Sequence, residues 1–345
     1  MSQTLQNAAK SEAGIAAFFR RQFFTHPPPL PEGTDLTGRT VIITGGSGGL
    51  GVEASRQFLR LNVAHLIVTV RSQTKADDLA GKLRNEFPES NISAWLLDME
   101  SYESITSFVK KCDTLPGIDI VILNAGLMKD TFEIVQATGH EKTLQVNYIS
   151  TALLSILLLP ILKSKAASNG STKPPILSLV ASDTAYWAKL NTNGPILAQF
   201  DDEKTFSTEA YQNSKLLLFW FVQKLSELVP SEDVTVNLTN PGLTAGTALN
   251  DEMFSNFHPF LSAILSRVKR LMARTIEVGA SNYIYATVVE GKESHGSFVS
   301  EWKFQPYPPI VYGELGNTLK ERLWEETLKE LQFVDVATIV QGLSN

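Results

Sequence analysis

Six short runs of aliphatic and β-branched residues punctuate the chain: Thr40-Val-Ile-Ile-Thr44, His65-Leu-Ile-Val-Thr-Val70, Ile92 to Leu97, Ile118 to Leu123, Ile176 to Val180 and Val234 to Leu238. Each has strand length and is apolar nearly throughout, the pattern of parallel strands covered on both faces. Helical stretches separate them, among them Val52 to Arg60, Thr74 to Phe87 and Ser101 to Lys111. This alternation predicts an α/β fold: a single doubly wound parallel sheet, a Rossmann fold, with helices on both faces.

Two helices read as apolar all round and therefore buried. One runs from Tyr148 to Leu162 with Pro160 inside it; the other is opened by Glu209 and carries Leu216-Leu-Leu-Phe-Trp-Phe221. Residues 13–24 differ. Ile15, Phe18, Phe19 and Phe23 with Arg20 and Arg21 form a short basic amphipathic helix, ended by Pro27-Pro-Pro-Leu-Pro31. It either lies on a membrane surface or packs back on the body, and packing back is the favoured reading.

Composition narrows this picture. The chain has 345 residues, 43% hydrophobic and 19% charged, as in ordinary globular proteins. Length alone suggests about two domains. The net charge of −6 offers no basic surface for nucleic acid. One cysteine, Cys112, and five scattered histidines supply neither a disulfide framework nor metal-ligand spacing, so no metal is expected. No signal peptide is read at the N-terminus, and a cytoplasmic, reducing setting is expected.

Thr44-Gly-Gly-Ser-Gly-Gly-Leu-Gly51 follows the first strand directly and opens a helix. Such a loop lets backbone amides approach a pyrophosphate, with the helix dipole favouring its charge. An NAD site would place a carboxylate about 20 residues on. The second strand instead ends Thr69-Val70-Arg71-Ser72, which suits the 2′-phosphate of NADP(H).

Further along, Tyr211-Gln-Asn-Ser-Lys215 places a tyrosine and a lysine on one helix face. Ser182 follows the fifth strand, Asn124-Ala-Gly126 follows the fourth, Val146-Asn147 lies in the next helix, and Asn240-Pro-Gly242 follows the sixth. In this order the motifs resemble the short-chain dehydrogenase/reductase family, from about Asp35 to Ser300. Within it the chain is similar to retinol-dehydrogenase-type and fungal biosynthetic reductases. Gln22-Phe-Phe-Thr-His-Pro-Pro28, Leu97-Asp-Met-Glu-Ser101 and Gly139-His-Glu141 add to that likeness.

The resemblance implies catalytic roles for Asn147, Ser182, Tyr211 and Lys215. Tyr211 is the general acid in carbonyl reduction, or the base in alcohol oxidation. Lys215 holds the nicotinamide ribose and lowers the Tyr211 pKa. Ser182 holds the substrate oxygen, and Asn147 supports a water chain. A tyrosine titrating near ~10 needs a drop of roughly 3 units, about 4 kcal/mol, to act near neutrality. A lysine charge ~4 Å away at an effective dielectric near 20 supplies about that much.

Cofactor contacts are implied for Thr44, Gly45, Ser47, Gly49, Leu50, Gly51, Arg71, Asp98, Asn124, Ala125, Gly126, Tyr211, Lys215, Pro241, Gly242 and Thr244. One extra residue after Pro241-Gly242 leaves Thr244 and Thr247 as alternative caps for the cofactor amide.

Met253 to Met272, rich in phenylalanine and leucine, falls where the family carries a substrate lid (about 245–275), so the substrate is expected to be lipophilic. Packing of that segment on the domain is the alternative. Trp187 and the insert Lys189 to Glu203 are further candidate walls. The two all-apolar helices either form a dimer face or are covered by the N-terminal helix, leaving monomer and homodimer both open.

The expectation is thus one domain, 37–311, with an arm 1–36 and a helical tail 312–345. It is an NADP(H)-dependent oxidoreductase interconverting a carbonyl and an alcohol on a lipophilic small molecule of secondary-metabolite biosynthesis. The alternative is the same fold doing non-redox cyclisation, isomerisation or dehydration.

Overall fold

The computed structural model describes residues 2–168, 173–247 and 272–343. Two N-terminal helices, α1 (Gln3–Glu12) and α2 (Ile15–Phe24), precede the sheet. The alternation then runs β1 (Thr40–Ile43), α3 (Gly49–Arg60), β2 (His65–Val70), α4 (Gln73–Glu86), β3 (Asn91–Leu96), α5 (Tyr102–Asp113) and β4 (Ile120–Leu123). A short turn (Lys142–Leu144) and a π-helical turn (Gln145–Ile149) lead into α6 (Ser150–Ser168). Next come β5 (Ile176–Val180), α7 (Ala210–Leu228), β6 (Thr235–Asn240), α8 (Ile276–Ile284), β7 (Phe298–Ser300) and β8 (Lys303–Gln305). Two C-terminal helices follow, α9 (Gly313–Glu330) and α10 (Val336–Leu343).

The strands form one sheet in the order β3-β2-β1-β4-β5-β6-β7-β8, parallel except for β8. Neighbouring residues of each strand feed opposite cores, as the two-residue period requires. Ile42 and Ile67 join α5, α6 and α7 on one side. Val41, Ile43, Leu66 and Val68 join α3, α4 and α8 on the other. The chain leaves β1 toward β2 on one side and returns to β4 on the other. This switch point opens a crevice at the carboxyl ends of the strands, where ligands bind in such sheets.

The six expected strands are present, with ends shifted by one or two residues, and two more extend the sheet. β7 and β8 have three residues each, too short for periodicity to register. Their turn, Glu301-Trp302, has positive φ at both residues (51° and 57°), a hairpin geometry that usually calls for Asn or Gly.

Two expectations about packing need correction. The all-apolar helices α6 and α7 are covered by the C-terminal helices, not by the N-terminal helix. Leu319, Leu323 and Trp324 of α9 and Val340 and Leu343 of α10 belong to the same buried cluster. The expected tail is therefore a layer of the core. The helix containing α6 is long and apolar enough to span a membrane, but 83% of its apolar window lies inside the molecule. Second, α2 does pack on the body, but its polar residues go inward. Arg21 and Gln22 are buried, whereas Ile15, Phe19, Phe23 and Phe24 are exposed.

Candidate active site

The loops after β1, β4, β5 and β6 border one cleft of about 650 Å³. At one end lies the glycine loop. Gly45 has φ +67°, and a Cβ there would lie 2.8 Å from the Ala125 Cα. A Cβ on Gly51 would lie 2.6 Å from the Gly45 carbonyl oxygen. The first turn of α3 thus closes tightly on the loop, and only glycine permits that approach. Asn124 braces the loop: its Nδ2 donates to the carbonyls of Thr44 (2.9 Å) and Gly45 (3.2 Å). The Asn124 Oδ1 accepts from the Tyr283 hydroxyl at 3.0 Å. Sequence reasoning missed Tyr283, which reaches the cleft from α8 with no motif around it.

At the end of β2 the cleft is bordered by Arg71, Asp98 and Glu100. Arg71 is exposed and pairs with Glu100 at 3.5 Å. Asp98 is fixed by its own turn, its Oδ1 accepting from the Glu100 amide at 3.0 Å.

The middle of the cleft holds Ser182, Tyr211 and Lys215. Ser182 caps the short turn Asp183–Trp187, and its Oγ accepts from the Thr184 amide (3.2 Å) and hydroxyl (2.9 Å). Tyr211 and Ser182 both border the cleft here, and the Ser182 side chain favours the phenolate form of Tyr211. Lys215 Nζ donates to the Val180 carbonyl at 2.8 Å and lies 5.8 Å from the centre of the Tyr211 ring. A Cβ on Gly126 would lie 3.4 Å from Nζ. Burial pushes Tyr211 up to about 12, with the Ser182 side chain pulling against it, and pushes Lys215 down to about 8. This reverses the expected direction for Tyr211. Its ring is enclosed, and the ammonium is directed at a strand carbonyl instead of the phenol, so desolvation dominates.

Of the expected residues, all but two border the cleft. Thr44 is buried behind it, with Oγ1 accepting from the Ala125 amide at 3.0 Å. Asn147 sits in the π-helical turn behind Gly126. Its amide is bonded on both sides to the Leu127 backbone (2.9 and 2.8 Å) and to Ser214 (3.0 Å). In this position the side chain braces the loop after β4.

The two candidate threonines also separate. Thr244 is buried against α8, its hydroxyl donating to the Gly242 carbonyl at 3.2 Å. Thr247 lies against the glycine loop, its methyl 3.4 Å from where a Gly49 Cβ would stand.

The far end of the cleft is made by Phe18, Leu127, Asp183, Thr184, Trp187 and Leu243. Below it lies a buried charge cluster that the sequence reading missed. Arg21 and Arg274 both reach Glu301 at 3.5 Å, and Arg274 Nη2 donates to the Arg21 carbonyl at 2.8 Å. Asp183 is held up at about 7 by burial and by Glu301, against the pull of the two arginines. Gly242 is required here: at φ +73° its Cβ would meet Arg274 Nη1 at 2.6 Å. The insert Lys189–Glu203 does not border the cleft; its Ile196 and Leu197 amides bond Glu326 on α9. Of the expected lid (about 245–275), residues 248–271 lie outside the described residues.

Comparison with known proteins adds the following. A family model described as "short chain dehydrogenase" matches residues 39–171. The chain is 48% identical over 344 residues to the short chain dehydrogenase virL of Hypocrea virens, covering 99% of both chains. It is 42% identical over 330 residues to the short chain dehydrogenase/reductase mfmJ of Annulohypoxylon moriforme, covering 94% of each. Among solved structures, L-sorbose reductase from Gluconobacter frateurii, complexed with NADPH and L-sorbose, aligns with a TM-score of 0.58 at 19% identity, over 77% of this chain and 96% of that one. NADPH-bound carbonyl reductase from chicken fatty liver aligns at 0.56 and 20%, over 79% and 100%.

Proposed function

The chain belongs to the short-chain dehydrogenase/reductase family, and from that premise we propose that it is an NADP(H)-dependent oxidoreductase reducing a carbonyl to an alcohol on a lipophilic small molecule of secondary-metabolite biosynthesis. The observation that carries this reading is one cleft. It has a glycine loop at one end, Tyr211, Ser182 and Lys215 together in the middle, and the Phe18 and Trp187 rings beyond.

The residues fit the cofactor. Gly48 of the loop borders the cleft with open space where a Cβ would stand, and Arg71 stands at the end of β2 without a carboxylate of its own strand. Arg71 would take the 2′-phosphate, and Asn124 and Lys215 would line the ribose and nicotinamide end. NADPH, when bound, supplies the hydride.

The chain's own residues supply the rest. Ser182 and Tyr211 hold the carbonyl oxygen, and Tyr211 gives it a proton as negative charge develops there. A phenol near 12 donates downhill to an alkoxide, whose alcohol is about as weak an acid as water (~15.7).

The test is to incubate the protein with NADPH and a set of lipophilic ketones and quinones while following nicotinamide absorbance and product together. Stoichiometric loss of NADPH with alcohol formation is expected. Product at unchanged absorbance would replace this reading with non-redox chemistry on the same fold.

A further inference from the structure

The N-terminal arm reaches the substrate end of the cleft, and nothing in the family motifs places it there. Phe18 of α2 borders the cleft together with Trp187. The two rings meet edge to face, with centroids 5.3 Å apart at 73°. The Trp187 indole N–H donates to the Ala13 carbonyl at 2.9 Å. That bond fixes the ring to the arm and leaves the indole no donor for a ligand. Trp187 is also the last residue of the turn that Ser182 caps, so the aromatic pair stands one short turn from the catalytic hydroxyls.

The arm is held by buried polar contacts, which explains why its apolar stripe faces outward. Gln22 Nε2 donates to the Leu243 carbonyl (2.8 Å) and the Met272 carbonyl (3.1 Å), and its Oε1 accepts from the Leu243 amide (3.3 Å). Arg21 donates to the Glu12 carbonyl and carboxylate, both at 2.7 Å, and reaches Glu301. Removing these contacts would strand buried donors and acceptors, so the register of α2 on the body is strongly specified. Phe18 is carried in that register.

We propose that Phe18 is a specificity-determining residue. With Trp187 it forms an aromatic wall that selects carbonyl substrates bearing a ring system, by dispersion and apolar burial without hydrogen bonds. This rests on the carbonyl-reductase reading above and names the substrate class of that same site.

Two dicarbonyls with the same reacting group test it: 9,10-phenanthrenequinone, which has rings to meet the wall, and butane-2,3-dione, which has none. With NADPH, Phe18→Ala should raise KM for the quinone about tenfold, leave its kcat within twofold, and leave butane-2,3-dione kinetics within twofold. Phe18→Leu should recover part of the loss. Phe23→Ala, on the exposed face of the same helix, should change neither substrate. Equal losses on both substrates, or no loss on the quinone, would overturn the proposal.

If the wild type turns over neither dicarbonyl, the reductase reading is what fails. The wall is then read by quinone binding alone, through quenching of tryptophan fluorescence with NADP+ present. A tenfold weaker Kd in Phe18→Ala supports the wall, and an unchanged Kd removes it.

Discussion

The two ends of the cleft are built by different means. The phosphate loop at the cofactor end comes from one stretch of chain: a strand, a glycine loop and the helix that follows, with backbone amides as the working groups. The substrate end is assembled from residues that lie far apart in sequence. Gln22 bonds Leu243 across 221 positions, and Arg274 bonds the Arg21 carbonyl across 253. A local motif leaves its signature in the sequence because its spacing is its geometry. A site closed by distant contacts leaves none, because each contributor alone looks ordinary.

Four perturbations sharpen this contrast. Gly45→Val should act on the cofactor end most severely. It adds a β-branched side chain at positive φ, against the Ala125 backbone. NADPH affinity should fall more than 100-fold by fluorescence titration, while the far end keeps its quinone binding. Loss at both ends together would mean that they are not independent. Arg71→Asp should weaken NADPH at least tenfold relative to NADH in the same titration. Equal weakening of both would remove Arg71 from 2′-phosphate recognition.

Gln22→Leu probes the other end. It leaves the Leu243 amide and the Leu243 and Met272 carbonyls without their partner. Urea unfolding should show a loss of about 2 kcal/mol, and KM for ring-bearing substrates should rise while NADPH affinity holds. An unchanged KM would detach the arm from the substrate end.

The smallest effect concerns Lys215, where the two ends meet. Burial lowers its pKa to about 8, so the ammonium is present below that pH and lost above it. NADPH affinity should therefore weaken severalfold as pH rises from 7 to 9, and Lys215→Met should flatten the profile. A rising affinity over that interval would reverse the assigned sign.

The same contrast explains what was legible. The strand order around the switch point, the glycine loop and the Tyr211–Lys215 pair follow from apolar runs and fixed spacings. Arg21 was read as part of the polar face of the amphipathic helix because helical periodicity counts polar residues as exposed, and nothing marked Gln22 as buried. Here Arg21 answers a buried carboxylate, Glu301, and Gln22 the backbone of Leu243 and Met272. Glu301 itself sits in a hairpin without glycine, between strands too short to register. The helical character of 313–343 was visible, but not that α9 and α10 would cover α6 and α7. Asn147 was found by its motif, but only the fold reveals Leu127 and Ser214 around its amide.

The central claim is that Tyr211 is the proton donor of an NADPH-linked reduction in this cleft. Tyr211→Phe keeps the ring and removes only the hydroxyl, so NADPH binding and turnover can be measured on the same sample. The account predicts NADPH affinity within twofold of wild type and a fall in kcat of about 10²–10⁴, the range for loss of a positioned general acid. Turnover at the wild-type rate with intact NADPH binding would contradict it.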